Sequence, residues 1–222
     1  MTIQRTKTKL ALDGRWNLEE LSETTRGYIQ LYGFAYSLLA DLPTTRRNEI
    51  DYIYGKFPWR GGYSTVNFFT QLFHNIPPKL RPEIERIKYG SPGFIELSEI
   101  LLVAGTIAGI VKFVCSAINN ANDTYRKIQK GSIEHKLARI NFREKDRQLT
   151  QEEIIFSESS AKSLIKVLGL TEAQEELIDQ RVQGNSVMKL KILLSVFRRV
   201  QPLAEKQSEG KLKITGKETD EA

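Results

Sequence analysis

The residues able to do covalent or acid-base chemistry are few and scattered. Two histidines, His74 and His135, and one cysteine, Cys115, are all that 222 residues offer beyond carboxylates and hydroxyls. One cysteine cannot close an intramolecular disulfide, and three such ligands spread along the chain lack the paired spacing of a zinc site. Ser91 sits in a Gly-Ser-Pro-Gly turn with no histidine near it in sequence. Glu96 and Glu99 are three apart and read either as a carboxylate pair or as acids meeting the positive end of a following helix; the second reading is preferred. The chain has no Gly-x-x-x-x-Gly-Lys-Ser/Thr loop, no Gly-x-Gly-x-x-Gly turn and no Gly-x-Ser-x-Gly elbow. The expectation is a non-enzymatic protein without metal or cofactor.

Binding chemistry is better represented. Trp59, Arg60 and Tyr63 lie in a loop with two consecutive glycines, where aromatic faces and a closely approaching backbone suit a flat ligand. The net charge of +6 favours acidic partners. Lys189, Lys191, Arg198 and Arg199 fall on one C-terminal helix without an acid among them, which suits phosphate contacts, although helical spacing scatters them over more than one face.

The elements that must position these groups follow from periodicity. Residues 3–13 alternate loosely and end at Asp13-Gly14, a strand and a turn. Apolar residues at helical spacing mark helices over about 17–42, from Thr44 to Gly55, and from Thr65 to Ile76, the first and last stopped by proline. Residues 83–89 alternate imperfectly and predict a strand. Residues 100–118 are the most apolar run in the chain and predict a long central helix. At about 100° per residue, Ile100, Val103, Ile107, Ile110, Val111, Val114 and Ile118 share one face. Ser98, Gly105, Gly109, Lys112 and Ser116 form a small-residue stripe on the other, with the Gly-x-x-x-Gly spacing that lets helices approach closely.

That run is just long enough to cross a bilayer. Its ten Ile, Leu, Val and Phe residues contribute roughly −3 to −6 kcal/mol on an insertion scale, and Lys112 takes back about 2.5 to 3.5 kcal/mol. The balance is marginal. Residues 119–149 carry eight Lys or Arg against four Asp or Glu and read as a basic helical connector. Capping-box spacings at Thr150 with Glu153 and Thr171 with Gln174 open two helices, ended by Gly169 and by Gly184-Asn185. A third helix runs over about 186–200, bounded by Pro202.

The fold expected is α+β and predominantly helical: a small sheet with packed helices, the long apolar helix, and a C-terminal helical bundle. The expected units are an N-terminal domain over 1–118, the connector over 119–149, a helical domain over 150–204, and a mostly disordered tail over 205–222, with a short strand near 211–214.

The run Arg86-Ile87-Lys88-Tyr89-Gly90-Ser91-Pro92 before an apolar helix, with Pro58-Trp59-Arg60-Gly61-Gly62-Tyr63 and Asn67-Phe68-Phe69, resembles a family of uncharacterised bacterial proteins in which a strand ends in Tyr-x-Ser-Pro ahead of a hydrophobic helix. The resemblance covers about residues 13–114. It implies a bacterial protein of the cytoplasm or its membrane and transfers no functional residues. The function expected is self-association or partner docking through the glycine-striped helix. The alternatives are a membrane-associated effector, peripheral or single-span, using the same helix, and a nucleic-acid-binding protein using the basic C-terminal half.

Overall fold

The computed structural model describes residues 4–58, 65–137, 140 and 148–215. The predominantly helical α+β architecture expected from the sequence is what the chain adopts. Four strands, β1 (Arg5–Leu12), β2 (Glu83–Lys88), β3 (Gly93–Ile100) and β4 (Leu212–Thr215), form one antiparallel sheet in the order β2-β3-β1-β4. The helices are α1 (Leu18–Ser37), α2 (Thr44–Lys56), α3 (Val66–Asn75), α4 (Leu101–Ser116), α5 (Ile118–Glu134), α6 (Gln151–Leu168), α7 (Glu172–Val182) and α8 (Ser186–Ser208).

Local chemistry sets the helix ends. Asn17 caps α1 reciprocally with Glu20, Thr150 caps α6 with Glu153, and Thr171 caps α7 with Gln174, each satisfying two otherwise orphaned backbone donors. Gly169 closes α6 in the left-handed conformation at φ 63°. An added Cβ there would lie 2.6 Å from Phe113 Cγ, so glycine is required both by the backbone and by the ring leaning on it.

The most enclosed element is α8. It packs against α1, α4, α5, α6, α7 and β4, and nearly every residue from Val187 to Val200 is buried. Periodicity predicted an end near Pro202, but α8 continues to Ser208. Pro202 withholds one ladder donor, and burial of Val200, Leu203 and Ala204 around it keeps the helix going. After Ser208 the chain turns into β4, whose Leu212 and Ile214 pair with Leu12 and Leu10 of β1. The short strand expected near 211–214 is β4, and residues 205–208 of the tail expected to be mostly disordered are the end of α8; residues 216–222 lie outside the described residues. The segments expected as separate units share one hydrophobic cluster, which includes Tyr32 and Phe68 from the first, Ala121 and Tyr125 from the second, and Leu164 and Phe197 from the third.

The largest departure from expectation precedes α4. Residues 93–100 are strand rather than helix start: Ile95, Leu97 and Glu99 alternate with Phe94, Glu96 and Ser98. The apolar run that follows directly masks this period of two. Helix α4 packs on the inner strands β1 and β3, whose buried face bears Leu10, Ile95 and Leu97. The opposite face is open and charged, with Lys9 and Arg86 both over the Phe94 ring and both paired to Glu96.

Two glycines in helices have opposite meanings. A Cβ on Gly33 of α1 would meet the Phe73 backbone nitrogen at 2.8 Å, whereas one on Gly105 of α4 meets nothing within 4 Å. Gly33→Ala is expected to destabilise by about 1–3 kcal/mol. Gly105→Ala is expected to stabilise by about 0.5–1 kcal/mol through helix propensity. Urea denaturation of the two variants measures both; equal effects would contradict this packing.

Candidate functional site

The face of α4 predicted to be branched and apolar is core: Val103, Ile107, Ile110, Val111 and Val114 are buried. Gly105, Gly109, Lys112 and Ser116 of the predicted stripe are exposed together on the other side. Ser98 is not with them. It belongs to β3, where its hydroxyl accepts from Arg5 Nε at 3.0 Å and its carbonyl from the Arg5 guanidinium at 2.6 Å. The helical projection carried the stripe back past Ile100, where helical geometry no longer applies.

The exposed stripe floors an open groove. Leu101, Leu102, Gly105, Thr106 and Gly109 form one side, and Gly169, Thr171 and Gln174 of the α6–α7 turn form the other. Leu102 is 57% exposed and Phe113 is 48% exposed, large values for apolar residues on a helix whose other face is core. Nothing lies within 4 Å of where a Cβ would stand on Gly105 or Gly109. The groove is shallow and apolar, with Lys112 exposed on the same helix.

Lys189, Lys191, Arg198 and Arg199 of α8 do not form a phosphate-facing surface. Lys189 is tied to Glu175 and Asp179 of α7, at 2.8 Å each. Burial pulls its ammonium pKa down, the hydrogen bonds to Asp179 and Glu175 pull it up, and the net direction is upward. Lys191 is buried and donates to the Ile140 carbonyl at 3.0 Å, with its pKa lowered by burial. Arg199 lies 3.7 Å from the Phe69 ring centroid and donates to the Ser195 carbonyl at 2.7 Å. Burial lowers its pKa, but a guanidinium keeps its charge in proteins. Arg198 turns back onto Leu194 and Ser195 of its own helix. Spacing on the helix was legible; that the helix lies at the centre of the fold was not.

The remaining candidates disperse. Trp59, Arg60 and Tyr63 lie outside the described residues. His135 lies tilted against Phe156, ring centroids 4.7 Å apart. His74 lines an open groove between α1 and α3 with Arg26, Thr25 and Phe73, and no carboxylate is among the lining residues to orient it. Ser91 hydrogen-bonds Asp13, tying the β2–β3 turn to the end of β1. Among the described residues no three His, Cys, Asp or Glu side chains come together as a metal site.

Glu96 and Glu99 point to opposite faces of β3, so they are neither a catalytic pair nor helix-start acids. Glu99 joins the sheet to α1. It is fully buried on the core face, accepting from the Tyr28 hydroxyl at 2.6 Å. Burial pushes its carboxyl pKa up, against the lowering effects of Tyr28, Thr8 and Arg5. Tyr32 lies nearby, donating to the Leu80 carbonyl at 3.0 Å and accepting from the Ile100 amide at 3.1 Å. This polar group joins α1 to β3. An acid inside an otherwise alternating apolar strand is the sequence signal that marks it.

Comparison with protein-family models, curated proteins and solved structures finds no match to this chain.

Because the folded-state pKa of Glu99 is raised, the native state binds the proton more tightly than the unfolded chain does. Stability relative to Glu99→Gln is then greatest below about pH 4.5 and falls as pH rises through the elevated folded value. Urea melts of both proteins across pH 4–8 measure the difference. A difference that grows with pH would overturn the assignment.

Proposed function

We propose that this chain is a non-enzymatic interaction protein that self-associates through the glycine-floored face of α4. The observation that supports this most is the pairing of Gly105 and Gly109, open to contact, with the half-exposed Leu102 and Phe113. The inner face of this helix is committed to the core, and of the outer face only Phe113 leans on a neighbouring element, at Gly169. A facing helix would seat closely over the two glycines and cover the leucine and phenylalanine. The dispersal of histidine, cysteine and carboxylates through the described residues also favours binding over catalysis.

Gly105→Leu/Gly109→Leu tests this reading. Both positions have space for a side chain and both substitutions raise helix propensity, so the fold is expected to persist. Light scattering is expected to show a lower assembled mass than wild type; an unchanged mass rejects α4 as the contact.

The membrane-effector reading uses the same helix. No single helix among the described residues is long and apolar enough to span a bilayer; α4 and α5 pass only as a pair, bent by 93°. Insertion of α4 would withdraw Val103, Ile107, Ile110, Val111 and Val114 from the core. The protein is expected to remain in the supernatant when sedimented with zwitterionic liposomes without detergent, where its net charge of +6 gives no electrostatic attraction, and co-sedimentation would favour the effector reading instead.

A further inference from the structure

Strand β2 is a second, independent surface. It is one of the two edge strands of the sheet, paired on one side to β3, and all six of its residues are exposed. Ile84 and Ile87 stand opposite Leu97 and Ile95, which places both on the core face of the sheet. They are nevertheless 61% and 62% exposed, because the helical layer stops short of this edge. The register shift between Ile84 and Arg86 is what allows two residues three apart to share a face. The charged residues take the open face: Glu85 lies 2.8 Å from Lys7, and Arg86 lies 3.1 Å from Glu96.

We propose that β2 pairs antiparallel with β2 of a second copy across a two-fold axis between Glu85 and Arg86, joining two four-stranded sheets into one. The argument is the order of residues, Glu83-Ile84-Glu85-Arg86-Ile87-Lys88. In that register Glu83 meets Lys88, Ile84 meets Ile87, and Glu85 meets Arg86, each contact occurring twice by symmetry. Opposite charges face each other on the open side and four isoleucines gather on the core side. A shift of two residues either way sets charges against isoleucines. A one-residue slip opposes residues from different faces. Parallel in-register pairing would stack Glu83, Glu85, Arg86 and Lys88 on their own copies. Edge strands usually carry charge that discourages pairing; here the two acids precede the two bases, so repulsion is removed in one arrangement alone. Pro82, which cannot donate to a ladder, bounds the strand and falls opposite the fully exposed Tyr89 of the other copy. A six-residue ribbon is a small interface, so the dimer is concentration- and salt-dependent.

The test uses sedimentation velocity in the Gly105→Leu/Gly109→Leu background, which separates this contact from the α4 face. The expected result is a reversible dimer. Glu85→Arg alone and Arg86→Glu alone each oppose like charges twice and are expected to weaken it roughly tenfold or more. The double variant Glu85→Arg/Arg86→Glu restores complementarity and dimerisation. An equimolar mixture of the two single variants is expected to form the heterodimer, a result that loss of folding cannot mimic. A monomer at every concentration in the glycine-substituted background, or a dimer indifferent to all the charge changes, overturns the proposal. Neither outcome depends on whether α4 self-associates.

Discussion

The fold depends on enclosing α8. A helix buried on nearly every side needs neighbours on every side, and α1, α4, α5, α6, α7 and β4 supply them. This helix also buries three cationic side chains, Lys189, Lys191 and Arg199, and a charge cannot enter a core without a partner. The chain answers each differently: two carboxylates of α7 hold Lys189, the Ile140 carbonyl takes Lys191, and the Phe69 ring covers Arg199. These contacts reach α7, the segment after α5, and α3 respectively. The buried cations thus act as selective fasteners, each setting where one element must sit against the central helix.

A second buried polar group works on the other side of the core. Glu99 would be a liability on the inner face of a strand, yet the Tyr28 hydroxyl reaches it and Tyr32 bridges Leu80 and Ile100 beside it. The tyrosines of α1 therefore read the end of β3 by hydrogen bonds where apolar contact alone would permit sliding. Gly33, the residue after Tyr32, lets α3 close against the same helix. Both devices make α1 the link between the sheet and the helices behind it.

Much of the helical part was legible because it depends on local chemistry. Thr150 with Glu153, Thr171 with Gln174, and Gly169 act within a few residues of themselves, and each does in the structure what its spacing implied. The inward and outward faces of α4 were legible for the same reason. What was hidden depended on neighbours distant in sequence. Strand β3 runs without a break into α4, so its alternation disappears inside a longer apolar run, and Ser98 was carried onto the wrong element. The alternation of β2 looked defective because a register shift places Ile84 and Ile87 on one face. The basic residues of α8 looked like a surface because nothing local reveals that six elements surround them. Of the surfaces discussed, the α4 stripe could be read from spacing, and the β2 edge only from the sheet order.

Sheet order has a further consequence, for the timing of folding. Strand β1 comes first along the chain and occupies an inner position, with β3 on one side and β4 on the other. Its contact with β3 already spans most of the first hundred residues, and the pairing of Leu12 with Leu212 spans nearly all the rest. On a ribosome β1 waits with one hydrogen-bonding edge unoccupied until the segment after α8 emerges. Contacts this distant close slowly because the intervening loop must be ordered first. The last strand is a latch set after the helices have assembled, and a chain stalled before it would leave exposed the kind of edge from which aggregates grow.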